Sequence, residues 1–263
     1  MRRLGQHFLA DHNLLQKIVA ALDPGPDDVV IEIGPGTGSL TKVVAPVVHL
    51  VIAIEKDRRL AEELRDQVPG VRCQVVTGDA LHVDWHALAS SHLTPDTSRR
   101  LKILGNIPYY ITSPLIDKAL TPPLPERVVF LVQREVAERL AAPPGGKTYG
   151  ALSVGVQAVC QVEQLFVVRA GAFRPPPKVD SAVVRLTPRA DPAVSDAEMP
   201  AFRTFVTACF SRRRKQLRNA LGAAIEAPRE RVSAVLERAG LDGMRRPETL
   251  SPEDFAGLLR ASQ

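Results

Sequence analysis

Apolar runs of five or six residues alternate with amphipathic segments along the first half of the chain. The runs are rich in β-branched residues, which is typical of strands buried on both faces of a parallel sheet. The segments between them show apolar positions at helical spacing, as in residues 11–22, where Asp11 is placed to cap a helix. Strands that alternate with helices predict an α/β fold with a doubly wound, mostly parallel sheet. The predicted strands are 29–33, 50–54, 72–77, the run that begins at Ile103, and 128–132.

The pattern changes in the last third of the chain. Residues 162–168 and 181–186 are strand-like with no helix between them, so we expect them to pair antiparallel at the end of the sheet. A proline-rich segment, 173–178, connects them in an extended conformation. Beyond the second of these strands, prolines mark a linker and the remaining pattern is helical. We therefore predict one domain over residues 1–188 and a small helical domain over 189–263.

Composition narrows the class of protein. The chain has 263 residues, 45% hydrophobic and 24% charged, which is ordinary for a globular protein with one large and one small domain. Its three cysteines (Cys73, Cys160 and Cys209) lie far apart and form no CxxC pair, so neither a disulfide framework nor a zinc knuckle is indicated. The amino-terminal residues lack the apolar stretch of a signal peptide, and the longest apolar segment, 43–54, is too short to cross a bilayer. We expect a cytoplasmic protein with no membrane partner.

Glycines and carboxylates follow three successive strands of the predicted sheet. The first strand runs into the turn 34–38, Glu55 closes the second, and Asp79 follows the third. These groups suit a nucleoside cofactor, either a nicotinamide dinucleotide or S-adenosylmethionine. The second is favoured, because Ser39 breaks the G-x-G-x-x-G order that suits a pyrophosphate and Asp79 suits an adenine amine.

A turn after the fourth strand presents two carbonyl acceptors and an aromatic face. Asn106 has a side-chain carbonyl, and Pro108 restricts Ile107 to an extended conformation, so that its backbone carbonyl has a fixed direction. Tyr109 supplies the flat face. Together they suit a planar base with an exocyclic amine. The alternative is an Asx-turn that caps the strand, with tyrosines covering the edge of the core.

A basic segment lies in the predicted helical domain. The net charge of the chain is +5, and five basic side chains fall among the seven positions 212–218. We expect a helix that turns these side chains outward and the apolar ones inward. A charge run of this kind is either a solvated face or a phosphate contact, and the lack of interspersed carboxylates favours the phosphate contact. The basic residues are Arg212, Arg213, Arg214, Lys215 and Arg218, and the inward ones are Phe205, Val206, Cys209, Phe210 and Leu217.

Neither the two histidines of residues 82–86 nor the cysteines are predicted to form a functional site. His82 and His86 are spaced for one helix face, but no third ligand is suitably placed, so no metal site is predicted. None of the cysteines stands beside a candidate base, which argues against a covalent mechanism through a thiolate.

Taken together, the motifs resemble the KsgA/RsmA family of rRNA adenine dimethyltransferases along nearly the whole chain. The resemblance implies a Rossmann-like methyltransferase domain, a small helical RNA-binding domain and S-adenosylmethionine as methyl donor. It further implies a monomer that acts on a pre-30S particle during ribosome biogenesis. Two adjacent adenosines near the 3′ end of small-subunit (16S) rRNA would become N6,N6-dimethyladenosine. The segments that carry the resemblance are 5–9, 32–38, 106–109, 173–181 and 212–215.

The resemblance also assigns roles by motif position. Asn106 and Ile107 would accept hydrogen bonds from the target amine, and Tyr109 and Phe173 would stack on the two faces of the base. His7 stands where many members have asparagine, and either side chain can form a hydrogen bond. The implied catalytic residues are Asn106, Ile107, Pro108, Tyr109 and Phe173. The implied cofactor-binding residues are His7, Leu9, Gly34, Gly36, Glu55, Asp79 and Asn106.

Two rival functions share parts of this pattern. The large-subunit (23S) rRNA methyltransferases of the macrolide-resistance type share the Asn-Ile-Pro-Tyr turn, but the segments 173–181 and 212–215 are more similar to the small-subunit enzymes. The chain could also act mainly as a non-catalytic assembly factor for the small subunit.

Overall fold

The computed structural model describes residues 7–68, 72–93, 100–211 and 215–263. The strands are β1 (Phe8–Leu9), β2 (Asp28–Ile33), β3 (Leu50–Glu55), β4 (Cys73–Thr77), β5 (Arg100–Asn106), β6 (Arg127–Gln133), β7 (Cys160–Val168), β8 (Phe173–Arg174) and β9 (Ser181–Pro188). The helices are α1 (His12–Leu22), α2 (Thr41–Val44), α3 (Arg58–Gln67), α4 (Trp85–Ser90), α5 (Thr112–Ala119), α6 (Arg134–Leu140), α7 (Ala151–Gln157), α8 (Met199–Phe210), α9 (Leu217–Ala224), α10 (Arg229–Ala239) and α11 (Pro252–Ser262).

Seven strands form one sheet in the order β4-β3-β2-β5-β6-β9-β7. The first five pair parallel with their neighbours, whereas β9 pairs antiparallel with β6, with Phe130 opposite Val184. A separate two-stranded sheet pairs β1 antiparallel with β8. These pairings confirm the predicted α/β class, with a mostly parallel sheet and an antiparallel last strand.

Local sequence signals explain how the central elements form. Asp11 and Asp57 accept hydrogen bonds from N–H groups in the first turns of α1 and α3, which have no partner inside the helix. All six residues of β2 are buried, as its β-branched sequence predicts. Because β2 to β5 run in the same direction, the polar residues that follow them meet at one edge of the sheet.

A buried ion pair lies at the opposite edge. Lys102 on β5 is 3% exposed, and its Nζ lies 2.7 Å from Oδ2 of Asp28 on β2. Removing one partner of such a pair leaves the other charge buried and uncompensated.

We expect Lys102→Met to lower the free energy of unfolding by about 3–5 kcal/mol, because the Asp28 carboxylate loses its buried counter-ion. Chemical denaturation monitored by circular dichroism measures the change. Arg100→Met is the matched control, since Arg100 pairs with Glu126 at 3.1 Å but is 63% exposed, and it should cost less than about 1 kcal/mol. Equal effects of the two substitutions would contradict the expectation.

The chain divides into two compact units, residues 1–137 with 163–187 and residues 138–162 with 188–263. The chain passes from the first unit to the second at 187–188. Residues 138–162, however, group with the carboxyl-terminal helices rather than with the rest of 1–188. Hydrogen bonds to the residues before α11 explain this grouping, since the Tyr149 hydroxyl donates to the Leu250 carbonyl at 2.9 Å.

The single helix expected to hold both Phe205 and Leu217 is instead two helices, α8 and α9, so that expectation was wrong. α8 ends at Phe210, and α9 begins at Leu217, whose N–H donates to the Arg245 carbonyl at 2.7 Å. Gln216 is extended, with φ −62° and ψ 152°, and this conformation separates the two helices. The apolar side chains expected to face inward are buried or half-buried. Lys215 and Arg218 are exposed, whereas Arg212, Arg213 and Arg214 lie outside the described residues.

In the parts of the chain that the structure describes, no helix has the length and apolar character needed to cross a membrane. His82 precedes α4 rather than sharing it with His86, whose Nε2 donates to the Thr121 carbonyl at 3.1 Å. Within the described ranges no three histidine, cysteine or acidic side chains group together as metal ligands would.

Candidate active site

A cavity opens at the carboxyl ends of β2, β3, β4 and β5, within the first unit. It brings together residues from the amino-terminal segment, the glycine turn, two acidic strand ends and the turn after β5. All the candidate cofactor and catalytic residues line it except Leu9 and Phe173. Those that line it are His7, Gly34, Gly36, Glu55, Asp79, Asn106, Ile107, Pro108 and Tyr109.

The turn after β2 needs glycine both for its backbone and for space. Gly34 and Gly36 have φ of +64° and +57°, which L side chains rarely adopt. At Gly34 the atom nearest to an added Cβ would be the Asn106 carbonyl oxygen, 4.0 Å away, so the space in front of this backbone is open. At Gly36 a Cβ would lie 2.7 Å from the ring of Phe8. The turn thus exposes bare backbone to the cavity.

Glu55 is held rigidly at the end of β3. The residue is 4% exposed, and each carboxylate oxygen accepts one backbone N–H. Gly36 donates to Oε2 at 3.0 Å and Asp57 donates to Oε1 at 2.8 Å. Each oxygen keeps a lone pair for a further donor, such as a ribose hydroxyl.

Asp79 is the second carboxylate of the cavity. Its Oδ1 accepts the Leu81 N–H at 3.0 Å, and its Oδ2 lies 2.7 Å from Nζ of Lys56. The Lys56 hydrogen bond lowers the pKa of Asp79 below its usual value, and the same bond raises the pKa of Lys56. Asp79 is therefore an ionised acceptor, able to take an amine N–H.

A third carboxylate, Glu32 on β2, is buried beneath the turn. The Thr41 hydroxyl donates to its Oε2 at 2.6 Å. Burial raises the pKa of Glu32 to about 7, and the nearby charge of Glu55 adds to the rise. Glu32 begins the glycine-rich motif 32–38, but nothing in that pattern predicts an elevated pKa.

This pKa predicts a pH-dependent stability. A carboxyl group with a raised folded-state pKa binds its proton more tightly in the folded state than in the unfolded one. The free energy of unfolding should therefore fall as the pH rises from about 4.5 to 7, by about 3 kcal/mol from this group. Glu32→Gln, whose amide oxygen can still accept from Thr41, should remove that loss.

Urea denaturation at pH 5 and pH 8 measures the effect, with Glu62→Gln as the control, because the Glu62 side chain is 55% exposed. The same pH-dependent loss in Glu32→Gln and in the wild type would refute the role of Glu32.

The Asn106 side chain has one defined orientation. Its Nδ2 donates to the backbone carbonyl of His7 at 2.9 Å. A carbonyl oxygen can only accept, so the nitrogen of the amide must be the atom that faces His7. The amide oxygen is consequently left as an acceptor. The next residue, Ile107, is 1% exposed, and its N–H donates to the Leu131 carbonyl at 3.3 Å.

Tyr109 is anchored by its hydroxyl and packed beside an imidazole. The Tyr109 hydroxyl lies 2.7 Å from the Ser181 Oγ, and partial burial raises the pKa of the phenol, which keeps it neutral. The ring of His7 stacks with the Tyr109 ring at 5.9 Å between centroids and 27° between planes. His7 Nδ1 donates to the Pro175 carbonyl at 2.8 Å, which ties the amino-terminal segment to the proline-rich connector.

Leu9 and Phe173 do not occupy the positions expected of them. They face each other in the β1–β8 pairing, are 3% and 0% exposed, and belong to the hydrophobic core. The Phe173 ring therefore does not provide a face for a base in this arrangement. Its strand instead places Pro175 beside His7. The apolar side chains of Leu9 and Phe173 could have predicted that both residues are buried.

Lys56 and Tyr110 line the cavity but were not singled out from the sequence. Each directly follows a residue that was, Glu55 in one case and Tyr109 in the other. The Lys56 side chain is 54% exposed and Tyr110 is 63% exposed. Because each comes directly after a predicted site residue, its position in the sequence could have indicated that it lines the cavity.

The chain as a whole is similar to known RNA methyltransferases. A family model described as "Ribosomal RNA adenine dimethylase" matches residues 1–261. The chain is 42% identical to ribosomal RNA small subunit methyltransferase A of Nitrosococcus oceani over 261 residues, which cover 98% of this chain and 94% of that one. It is 44% identical to the protein of the same name from Pelotomaculum thermopropionicum, over 98% of this chain and 89% of that one.

Two solved structures are similar along nearly the whole chain. A dimethyladenosine transferase from Plasmodium falciparum superposes with a TM-score of 0.80 at 30% identity, with 96% of each chain covered. The 23S rRNA methyltransferase ErmE superposes with a TM-score of 0.70 at 31% identity, with 97% of this chain and 98% of that chain covered.

Proposed function

The chain belongs to the ribosomal RNA adenine dimethylase family, and from that premise we propose that it methylates two adjacent adenosines near the 3′ end of small-subunit (16S) rRNA. Methyl groups pass from S-adenosylmethionine to N6 and give N6,N6-dimethyladenosine. The observation that carries this proposal is the fixed orientation of the Asn106 amide, which leaves its oxygen as an acceptor on a residue that lines the cavity together with Tyr109.

The residues of the cavity fit S-adenosylmethionine. The bare backbone at Gly34 leaves open space, Glu55 offers carboxylate lone pairs for ribose hydroxyls, and ionised Asp79 suits the adenine amine. When bound there, S-adenosylmethionine supplies a methyl group activated by its sulfonium. A nicotinamide dinucleotide suits the turn less well, because Ser39 interrupts the glycine order that accommodates a pyrophosphate.

Asn106 and Ile107 activate the target nitrogen by holding its hydrogens. The exocyclic nitrogen of adenine is a weak nucleophile, because its lone pair is delocalised into the ring. When the Asn106 Oδ1 and the Ile107 carbonyl accept hydrogen bonds from its two N–H groups, the nitrogen becomes pyramidal and its lone pair is available. The nitrogen becomes acidic only after it has gained the methyl group, so its proton leaves then and no strong base is needed.

Tyr109 holds the flipped base by stacking. A base turned out of its strand no longer stacks on its neighbours, and an aromatic face restores about 1–3 kcal/mol of that stabilisation. The bond between the Tyr109 hydroxyl and Ser181 keeps the ring in place. A monomethylated amine still has one N–H for these acceptors, which is compatible with a second transfer.

We propose that the basic cluster, residues 212–215 with Arg218, contacts rRNA phosphates. Replacing Arg212 to Lys215 by glutamine should weaken binding to small-subunit rRNA and flatten the dependence of log Kd on log salt concentration by about one unit for each phosphate that is no longer neutralised. Filter binding at several salt concentrations measures the slope. Arg229→Gln, at an exposed position of α10, is the control and should leave it unchanged. An unaltered slope in the cluster variant would show that these side chains do not contact phosphates and form a solvated face instead.

Small-subunit rRNA is favoured over large-subunit rRNA because the proteins of 42% and 44% identity are both small-subunit methyltransferases by name. Incubation of purified small and large subunits with radioactive S-adenosylmethionine separates the two. Label in the small subunit alone supports the proposal, and label in the large subunit overturns it.

We also propose that the partner is a pre-30S particle, that the protein works as a monomer, and that it acts in the cytoplasm, where ribosomes are assembled. Sedimentation of the protein with assembly intermediates, and light scattering of the free protein, test the first two. Rescue of ribosome assembly in cells by a catalytically inactive variant would favour the assembly-factor function.

A further inference from the structure

Tyr110 lies at the cavity and is also exposed to solvent. It lines the same cavity as Asn106 and Tyr109, yet 63% of its surface is exposed. No other large apolar side chain in the described residues is as exposed. A tyrosine ring left in water at the mouth of a cavity offers a flat face to a ligand.

Backbone geometry directs the two tyrosines differently. They begin the 3-10 helix Tyr109–Ile111, in which three residues make one turn and successive side chains point about 120° apart. The Tyr109 hydroxyl bonds to Ser181, whereas the Tyr110 ring extends into solvent. Consecutive Cα atoms are about 3.8 Å apart, so the two side chains leave the backbone next to each other.

When the target base is flipped, the base of the adjacent nucleotide is left unstacked on one side. The nucleotide beside the target loses the stacking partner on one face when the target base leaves the strand. An exposed aromatic ring one residue away from the ring that receives the target can cover that face. We propose that Tyr110 is the stacking platform for the base of the nucleotide next to the target adenosine. This inference rests on the proposed function and adds a second nucleobase subsite to it.

The surroundings of Tyr110 suit an RNA strand. Lys56 lines the same cavity as Tyr110, and its side chain is 54% exposed. Its charge is shared with Asp79, at 2.7 Å, and remains open to solvent for a phosphate. An aromatic face beside a cation is the combination with which proteins hold single-stranded nucleic acids.

Three variants of Tyr110 distinguish the effect of aromatic stacking from the effect of side-chain volume. Tyr110→Ala removes the ring, Tyr110→Leu keeps apolar volume without a π face, and Tyr110→Phe keeps the face without the hydroxyl. The measured quantities are the Kd for small-subunit particles, kcat, and the Kd for S-adenosylmethionine by calorimetry. We expect the alanine and leucine variants to raise the Kd for particles about tenfold and the phenylalanine variant to match the wild type.

A double-mutant cycle between protein and RNA identifies the partner of the ring. Small-subunit particles are prepared with an abasic site on the 5′ or the 3′ side of the target adenosine. On one of the two sides, the abasic site should weaken wild-type binding about as much as Tyr110→Ala does, and the two changes combined should cost no more than one.

Three results would overturn the proposal. They are additive losses with both abasic substrates, a Tyr110→Ala variant that binds as the wild type does, and a Tyr110→Phe variant as weak as Tyr110→Ala. If the wild type dimethylates the particles in the same experiment, the proposed function survives that result. If the wild type neither binds nor methylates the particles, both the proposed function and the stacking role of Tyr110 are refuted.

Discussion

Asn106→Ala should lower the rate of methyl transfer by about a thousandfold. The Asn106 Nδ2 is held by the His7 carbonyl at 2.9 Å, so its oxygen is preorganised to accept an amine N–H. Without that acceptor the target nitrogen keeps its lone pair in the ring and is not oriented. Single-turnover methylation with saturating protein measures the chemical step directly.

The affinity for S-adenosylmethionine is the control for this prediction. We expect it to stay largely intact in Asn106→Ala, because the carboxylates of Glu55 and Asp79 are unchanged. Asn13→Ala, which removes an exposed amide of α1, should affect neither quantity. A rate near that of the wild type in Asn106→Ala would remove Asn106 from the mechanism.

Replacing Tyr109 by alanine should lower kcat/KM for the rRNA substrate by about a hundredfold. Loss of one aromatic face costs a flipped base about 1–3 kcal/mol of stacking, and misplacement of the amine adds to this. Tyr109→Phe keeps the face and loses only the hydrogen bond to Ser181, which is 2.7 Å long. It should therefore retain most of the activity.

The comparison of the two Tyr109 variants decides the role of the ring. If stacking matters, alanine is much worse than phenylalanine, and the affinity for S-adenosylmethionine changes in neither. If phenylalanine is as inactive as alanine, the hydroxyl and its bond to Ser181 are the essential feature, and the stacking role fails.

Periodicity in the sequence predicted the sheet and the edge at which the site lies. Parallel strands buried on both faces have near-continuous apolar runs, so β2 and β3 were recognisable, and the residues that follow them converge because the strands share a direction. This is why Gly34, Glu55 and Asn106 could be placed together from sequence alone.

The errors arose where tertiary contacts override local pattern. Phe173 begins the segment 173–181, whose resemblance to the family implied a stacking role, but its pairing with Leu9 in the β1–β8 sheet puts both side chains in the core. The basic segment looked helical, yet α9 starts anew at Leu217, where the N–H bonds to Arg245 rather than to the preceding turn. Neither partner is close in the sequence.

The raised pKa of Glu32 and the ion pair between Lys56 and Asp79 lay beyond sequence reasoning for another reason. The first depends on the burial of Glu32, and the second depends on the distance between two side chains that follow different strands. Strand order can be inferred from topology rules, but the depth of a carboxylate beneath a turn cannot.

Mass spectrometry of small-subunit rRNA, after incubation of small subunits with the protein and S-adenosylmethionine, tests the central claim most directly. The geometry of Asn106, Ile107 and Tyr109 predicts that two adjacent adenosines near the 3′ end each gain two methyl groups at N6. Unmodified small-subunit rRNA, or methyl groups on any atom other than adenine N6, would contradict it.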